Sequence, residues 1–258
     1  MEDNKNIIEE EKKEIVLGLD VSTACIGVCV LWNDGSDYGK IIELTHINPK
    51  TPKKVKGIEE LFLKKACFEE YIKNFKDFKI TKCVIEEPLL SSNNQNTVAT
   101  LLRFNGMVSE CIYNTFGIVP DYISSYDARK YAFPELLAVR KFGKNEQQYE
   151  RKKIIKAIKD SKFVLFGSYP WTIDKKCVLQ EKVSNIFPKI EWIYDKKGEL
   201  KKENFDATDS WVACLGQINK ERYGELDPKV ANIEIMEDKV KYDVVYWNKV
   251  DHRVTYLN

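Results

Sequence analysis

The stretch Ile15-Val-Leu-Gly18-Leu-Asp20-Val-Ser-Thr-Ala-Cys-Ile-Gly27-Val-Cys-Val-Leu31 constrains this chain more than any other. Ile15 to Leu19 is an apolar, β-branched run of strand length, and Ser22-Thr23-Ala24 supplies turn chemistry. A second strand, running back beside the first, follows from the apolar run that ends at Leu31. Gly18 and Gly27 fit places where another backbone comes close or the strand bends. A carboxylate at the end of a buried strand is costly unless water or a cation reaches it. Asp20 therefore has two readings, a turn cap bonded to the backbone two residues on and a cation ligand.

Two further stretches bear on that choice. In Lys82-Cys-Val-Ile-Glu86-Glu87-Pro88 another apolar strand ends in carboxylate, and Pro88 closes it because proline cannot donate to a ladder. Side chains alternate along a strand, so only one of Glu86 and Glu87 can join Asp20. In Asn204-Phe-Asp206-Ala-Thr-Asp209-Ser-Trp-Val-Ala-Cys-Leu-Gly216 the spacing of three puts Asp206 and Asp209 on one helix face. Val212, Ala213 and Gly216 continue that face, small enough for the helix to lie close on a sheet. Negative charge in the first turns also suits the helix dipole.

On these residues the chain resembles the RuvC-like branch of the RNase H-like nucleases, the Holliday-junction resolvases. Gly18-Leu19-Asp20-Val21-Ser22 matches the family's GxDxS/G-type motif, Ile85-Glu86 its I-E motif, and Asp206-Ala207-Thr208-Asp209-Ser210 its D-A-x-D-A-type motif. The likeness spans residues 14–223, although its specific motifs are only these short stretches. Residues 93–116, with Gly106 in the middle, match the helix that follows the glutamate strand. The resemblance implies an α/β fold, a mixed five-stranded RNase H-like sheet flanked by helices. It also implies that Asp20, Glu86, Asp206 and Asp209 are the catalytic residues and metal ligands. They would hold two Mg²⁺ ions, with Mn²⁺ as a substitute. Lys182 falls where the family carries a lysine near the metals. In bacterial members an aromatic residue three positions after the glutamate helps open the junction; here that position is Leu89, an apolar wedge without a ring.

Composition excludes little. At 258 residues the chain can bury a sizeable core. It has no run of about 18 apolar residues that would make a membrane span. Residues 1–13 lack the apolar core of a signal peptide, so the expectation is a cytoplasmic protein, or one in host cytoplasm or nucleus if viral, not a secreted one. Seven cysteines without a CxxC pair read as reduced core residues rather than zinc ligands or disulfides. A net charge of +1 gives no direct sign of nucleic acid, but a basic face can coexist with a local cluster of carboxylates.

In chain order, residues 1–12 are expected to form a solvated tail and 13–223 the nuclease domain that the resemblance implies. Strands are expected at 14–32 (a hairpin), 40–48, 80–86 and 118–124, and helices at 58–75, 95–116, from 125, at 177–187 and from 206. Residues 49–54, with two prolines and a lysine cluster, read as a solvated turn or as a backbone contact to DNA. An insert around 135–175 carries Lys141, Lys144, Lys152 and Lys153 with interleaved aromatics; it is either a solvated amphipathic helix or a phosphate-tracking surface. A C-terminal β meander at 224–258 lies outside the family core and could extend the sheet, form a dimer contact or touch DNA.

The expected activity is Mg²⁺-dependent hydrolysis of branched DNA by a homodimer of viral or phage type. One ion activates water, and the other stabilises the leaving 3′ oxygen. No Ser-His or Cys-His arrangement competes with it, and Ser22 and Thr23 read as turn residues. Alternatives are another RNase H-like nuclease acting on RNA–DNA hybrids or without specificity, an actin-like ATPase, and an inactive DNA-binding relative. The ATPase needs further glycine-rich phosphate loops, for which 12 glycines without a G-G run give little material.

Overall fold

The computed structural model describes residues 14–88, 94–133, 139–141, 152, 175–224, 226–235, 239–248 and 254–255, with only the backbone of most residues beyond 225 and of 139–141. Strands β1 (Glu14–Val21), β2 (Ile26–Asn33) and β3 (Lys40–Ile47) form an antiparallel meander. The turn between β1 and β2 is closed by Ser22, whose Oγ donates to the Cys25 carbonyl at 2.8 Å and accepts from the Cys25 N–H at 3.0 Å. β4 (Lys82–Glu86) and β5 (Asp121–Ile123) add in parallel, giving the order β3-β2-β1-β4-β5. This is the expected mixed five-stranded sheet of an α/β fold, flanked by helices on both faces.

β1 is buried on both faces, which is why its sequence is an unbroken apolar run rather than an alternating one. Leu17, Leu19 and Val21 face one layer, with Cys83 and Ile85 of β4. That layer is α1 (Ile58–Ile72) and α2 (Gln95–Phe116), which contribute Leu61, Phe68, Phe104 and Val108. Val16 and Val84 face the other layer, made by α3 (Ser125–Ala132), α4 (Lys175–Ile186) and α5 (Glu203–Tyr223) around Trp211 and Phe133. Alternation then sends Asp20 and Glu86 to the α5 side and Glu87 to the α2 side.

α5 reaches the sheet through glycines. A Cβ on Gly18 would strike the Ser210 carbonyl and Cys214 Sγ, and one on Gly27 would strike the backbone of Asp206 and Ala207. Gly216 makes the same close approach to Ala128 of α3. The helix ends are set locally. Asn94 caps α2 by accepting from the Asn96 and Thr97 N–H groups, Gly117 (φ 71°) ends it left-handed, and the Ser124 hydroxyl caps α3.

The expected 58–75 helix stops at Ile72 and tightens into a 3₁₀ segment, Lys73–Phe78, which Lys79 (φ 52°) terminates. β5 is shorter than expected, since Pro120 cannot donate and pairing begins at Asp121. The C-terminal strands β7 (Leu226–Ile235), β8 (Lys239–Asn248) and β9 (Val254–Thr255) do not extend the first sheet. They form a second sheet together with β6 (Val139–Lys141), drawn from within the expected insert, which pairs with β8. Among the described residues no helix is long and apolar enough to cross a membrane.

Candidate active site

The four carboxylates named from the sequence meet where β1 and β4 end beneath α5. Leu19 pairs with Ile85 across the parallel β1–β4 ladder, so Asp20 and Glu86 leave the sheet side by side on one face. Across the hairpin Asp20 pairs with Gly27, over which the backbone of Asp206 lies. That contact brings Asp206 and Asp209, one turn apart, down onto the strand ends. Asp209 is the more deeply set of the two, with its side chain 5% exposed against 22% for Asp206.

Electrostatics records the convergence. Burial, with Asp209 and Asp206 adding repulsion, pushes the Asp20 carboxyl up to about 7, although Lys176 and Arg129 pull the other way. Burial and the neighbouring Asp20 and Asp209 raise Glu86 well above the ordinary carboxylate range. Glu87 is exposed and points to the other layer.

Two cations and a thiol complete the cluster. Lys176, near the start of α4, places Nζ 3.4 Å from Asp206 Oδ1 and 3.4 Å from Asp209 Oδ2. Burial disfavours its charge, yet Asp209, Asp206 and Asp20 together hold its pKa above the ordinary value. Arg129 of α3 sits 3.5 Å from Asp209 Oδ1, and its Nε is buried without a hydrogen-bond partner. The Cys25 thiol, raised by burial and then by its hydrogen bond to Asp206, is a neutral donor. None of these three was singled out from the sequence. Arg129 and Lys176 lie 80 and 30 or more positions from their partners, a separation that no local pattern encodes.

Four hard oxygen donors whose charges repel one another suit Mg²⁺ or Mn²⁺ by their chemistry. Among the described residues no three of them stand at ligand spacing. The positive charge between Asp206 and Asp209 is the Lys176 ammonium.

The expected nucleic-acid contacts are placed less centrally. Lys182 lies over the Phe133 ring at 5.0 Å, and burial lowers its pKa. The lysine expected beside the carboxylates is thus Lys176, six positions earlier in the same helix. Lys152 is exposed on helical backbone. Lys141 lies in β6 with its side chain outside the described residues, as are Leu89, Lys144 and Lys153 altogether. All seven cysteines are free; five are buried as expected, while Cys67 and Cys177 are exposed. A cleft of about 460 Å³ runs from Asp206 past Cys25, Ser22 and Ala24 to Asn48, Lys202 and Glu203.

No protein-family model matches this sequence, and no curated protein matches it. The fold is similar to that of Thermus thermophilus RuvC in complex with a Holliday junction substrate, at 14% identity, covering 82% of this chain and 96% of that one with a TM-score of 0.49. It is similar to the yeast mitochondrial Holliday junction resolvase Ydc2, at 13% identity over 82% of each chain with a TM-score of 0.41. It is also similar to a Ppx/GppA family protein of Aquifex aeolicus, at 13% identity over 80% and 89% with a TM-score of 0.35. The likeness is one of fold alone.

Proposed function

We propose that this protein is a metal-dependent endonuclease that cuts branched DNA, with Asp20, Glu86, Asp206 and Asp209 as its catalytic metal ligands. The observation that carries the reading is the meeting of these four carboxylates at one sheet edge, where burial and then mutual repulsion raise the Asp20 and Glu86 carboxyls. A purely structural cluster of that kind costs stability, which makes a functional cation the better account.

Divalent cations bound there would lower the pKa of an attacking water and stabilise the leaving oxygen. The chain's own groups have separate tasks. Arg129, half-buried beside Asp209, holds that carboxylate in one orientation. Lys176, with its side chain 46% exposed, screens Asp206 and Asp209 and can turn toward a phosphate once cations replace it. The cleft beside Asp206 gives a nucleic-acid strand a path to the carboxylates, with Lys202 on its wall. Lys141, Lys144, Lys152, Lys153 and Lys182 are the proposed phosphate contacts, and Leu89 the wedge at the branch point. The proposed assembly is a homodimer of viral or phage type, which would place two sites on opposing strands.

The test compares Mg²⁺-dependent cutting of a four-way junction, a flap, a linear duplex and an RNA–DNA hybrid. Paired symmetrical nicks in the junction support the reading. Preference for the hybrid makes the protein an RNase H-type enzyme, and equal cutting of every substrate makes it a general nuclease.

A further inference from the structure

A second pocket opens on the other side of the strand that delivers Glu86. Its volume is about 280 Å³, and among the described residues it is lined by Glu87, Pro88, Leu102, Asn105, Gly106 and Tyr122. It therefore lies between the ends of β4 and β5 and the middle of α2. Tyr122 is 40% exposed and Leu102 is 44% exposed. Nothing stands within 4 Å of where a Gly106 Cβ would be, so bare helix backbone leaves room there. Pro88, Leu102 and Tyr122 make these walls largely apolar.

The polar groups are of one kind. Asn105 is 2% exposed, and its Nδ2 donates to the Leu101 carbonyl at 3.0 Å. Its Oδ1 is buried with no partner. An orphaned buried acceptor is costly and calls for a donor. Glu87 adds a carboxylate, which only accepts when ionised. The Tyr122 hydroxyl is already engaged with Ser109 Oγ at 2.7 Å. What the side chains offer a ligand is thus acceptors beside an aromatic face.

We propose that this pocket receives an unpaired guanine of the nucleic-acid substrate, read by the Glu87 carboxylate and the Asn105 amide oxygen and stacked on Tyr122. Guanine presents adjacent N1–H and N2–H donors, which match the two oxygens of a carboxylate. Adenine and cytosine set an amine beside a ring acceptor that a carboxylate repels, and thymine offers one N–H between two carbonyls. An unpaired base stacks on an aromatic ring while its Watson–Crick edge is read by hydrogen bonds. Glu87 directly follows Glu86, so a base near the scissile phosphate reaches the pocket across the sheet edge. This inference rests on the nuclease reading for the arrival of the base, but not for the recognition itself.

The test is saturation-transfer NMR on the full chain with 2′-deoxyguanosine, 2′-deoxyadenosine, 2′-deoxycytidine and thymidine in turn. Deoxyguanosine is expected to receive about fivefold more saturation than the others, the lower end of what one bidentate pair discriminates. Glu87→Gln removes that difference by pairing an amide with the donor edge. Gly106→Leu fills the pocket from a helix position with open space and a better helix former, and it also abolishes the signal. Equal saturation of all four nucleosides, no binding by any of them, or undiminished deoxyguanosine binding by Glu87→Gln would each overturn the proposal. A protein that binds deoxyguanosine here and cuts no DNA keeps the pocket and loses the nuclease. One that cuts DNA without binding deoxyguanosine does the reverse.

Discussion

Asp20 carries an acid whose ordinary value of 3.8 is raised to about 7 in the folded chain. Between those values the folded protein binds a proton that the unfolded chain has released. Stability without metal therefore falls as pH rises from about 4 to about 7 and levels off above, the reverse of the usual salt-bridged aspartate. Urea unfolding at pH 5, 6, 7 and 8 checks this, and Asp20→Asn is expected to flatten the profile. Added Mn²⁺ should stabilise most at the alkaline end, because the ligands must be ionised to bind it. Lys176 gives a second test at this scale. Its ammonium stands between the two aspartates where a cation would be favoured, so lysine and metal compete. Lys176→Ala should tighten Mn²⁺ binding roughly fivefold by calorimetry, equivalent to about 1 kcal/mol for a half-exposed pair. Weaker binding in that variant would show that the lysine supports the metal site.

At the scale of elements, the site depends on how closely α5 can approach β1 and β2. Gly27→Ala would drive a methyl group into the backbone of Asp206, so the helix must lift and carry a ligand with it. The expected cost is about 1–3 kcal/mol in denaturant unfolding, with loss of cutting activity. Gly106→Ala, in open space on α2, should instead stabilise by about 0.5–1 kcal/mol. The same contrast marks what the sequence revealed. Gly18 and Gly27 could be read as close approaches because each interrupts a strand that otherwise needs apolar volume. The bounds of α2 agree with the 95–116 expected, and in the structure an asparagine cap and a glycine stop, both local devices, fix them. Strand ends and helical spacing mark out the carboxylates as candidates, and the family resemblance, through its I-E motif, chooses Glu86 over Glu87. Arg129, Lys176 and Cys25 could not be named, since their roles follow from which helices pack together. The pairing of Val139–Lys141 with β8 was equally hidden, for it joins segments about a hundred residues apart and three residues carry no periodicity.

For the whole molecule, the five-stranded sheet brings together residues from Asp20 to Asp209, and the claim that they form one metal-dependent site is the centre of the account. Net charge gives no general attraction to DNA, so the proposed binding would come from local phosphate contacts and should fall steeply with added salt. The most direct test of the centre is the single-turnover cutting rate of a four-way junction in Mg²⁺, comparing the wild type, Glu86→Gln and Glu87→Gln, with EDTA as control. Removing a ligand that supports several kcal/mol of catalysis should slow Glu86→Gln about a thousandfold, whereas Glu87→Gln, which keeps every proposed metal ligand and loses only the proposed base contact, slows far less and EDTA stops the wild type. Normal cutting by Glu86→Gln beside an inactive Glu87→Gln, or cutting that persists in EDTA, would contradict it.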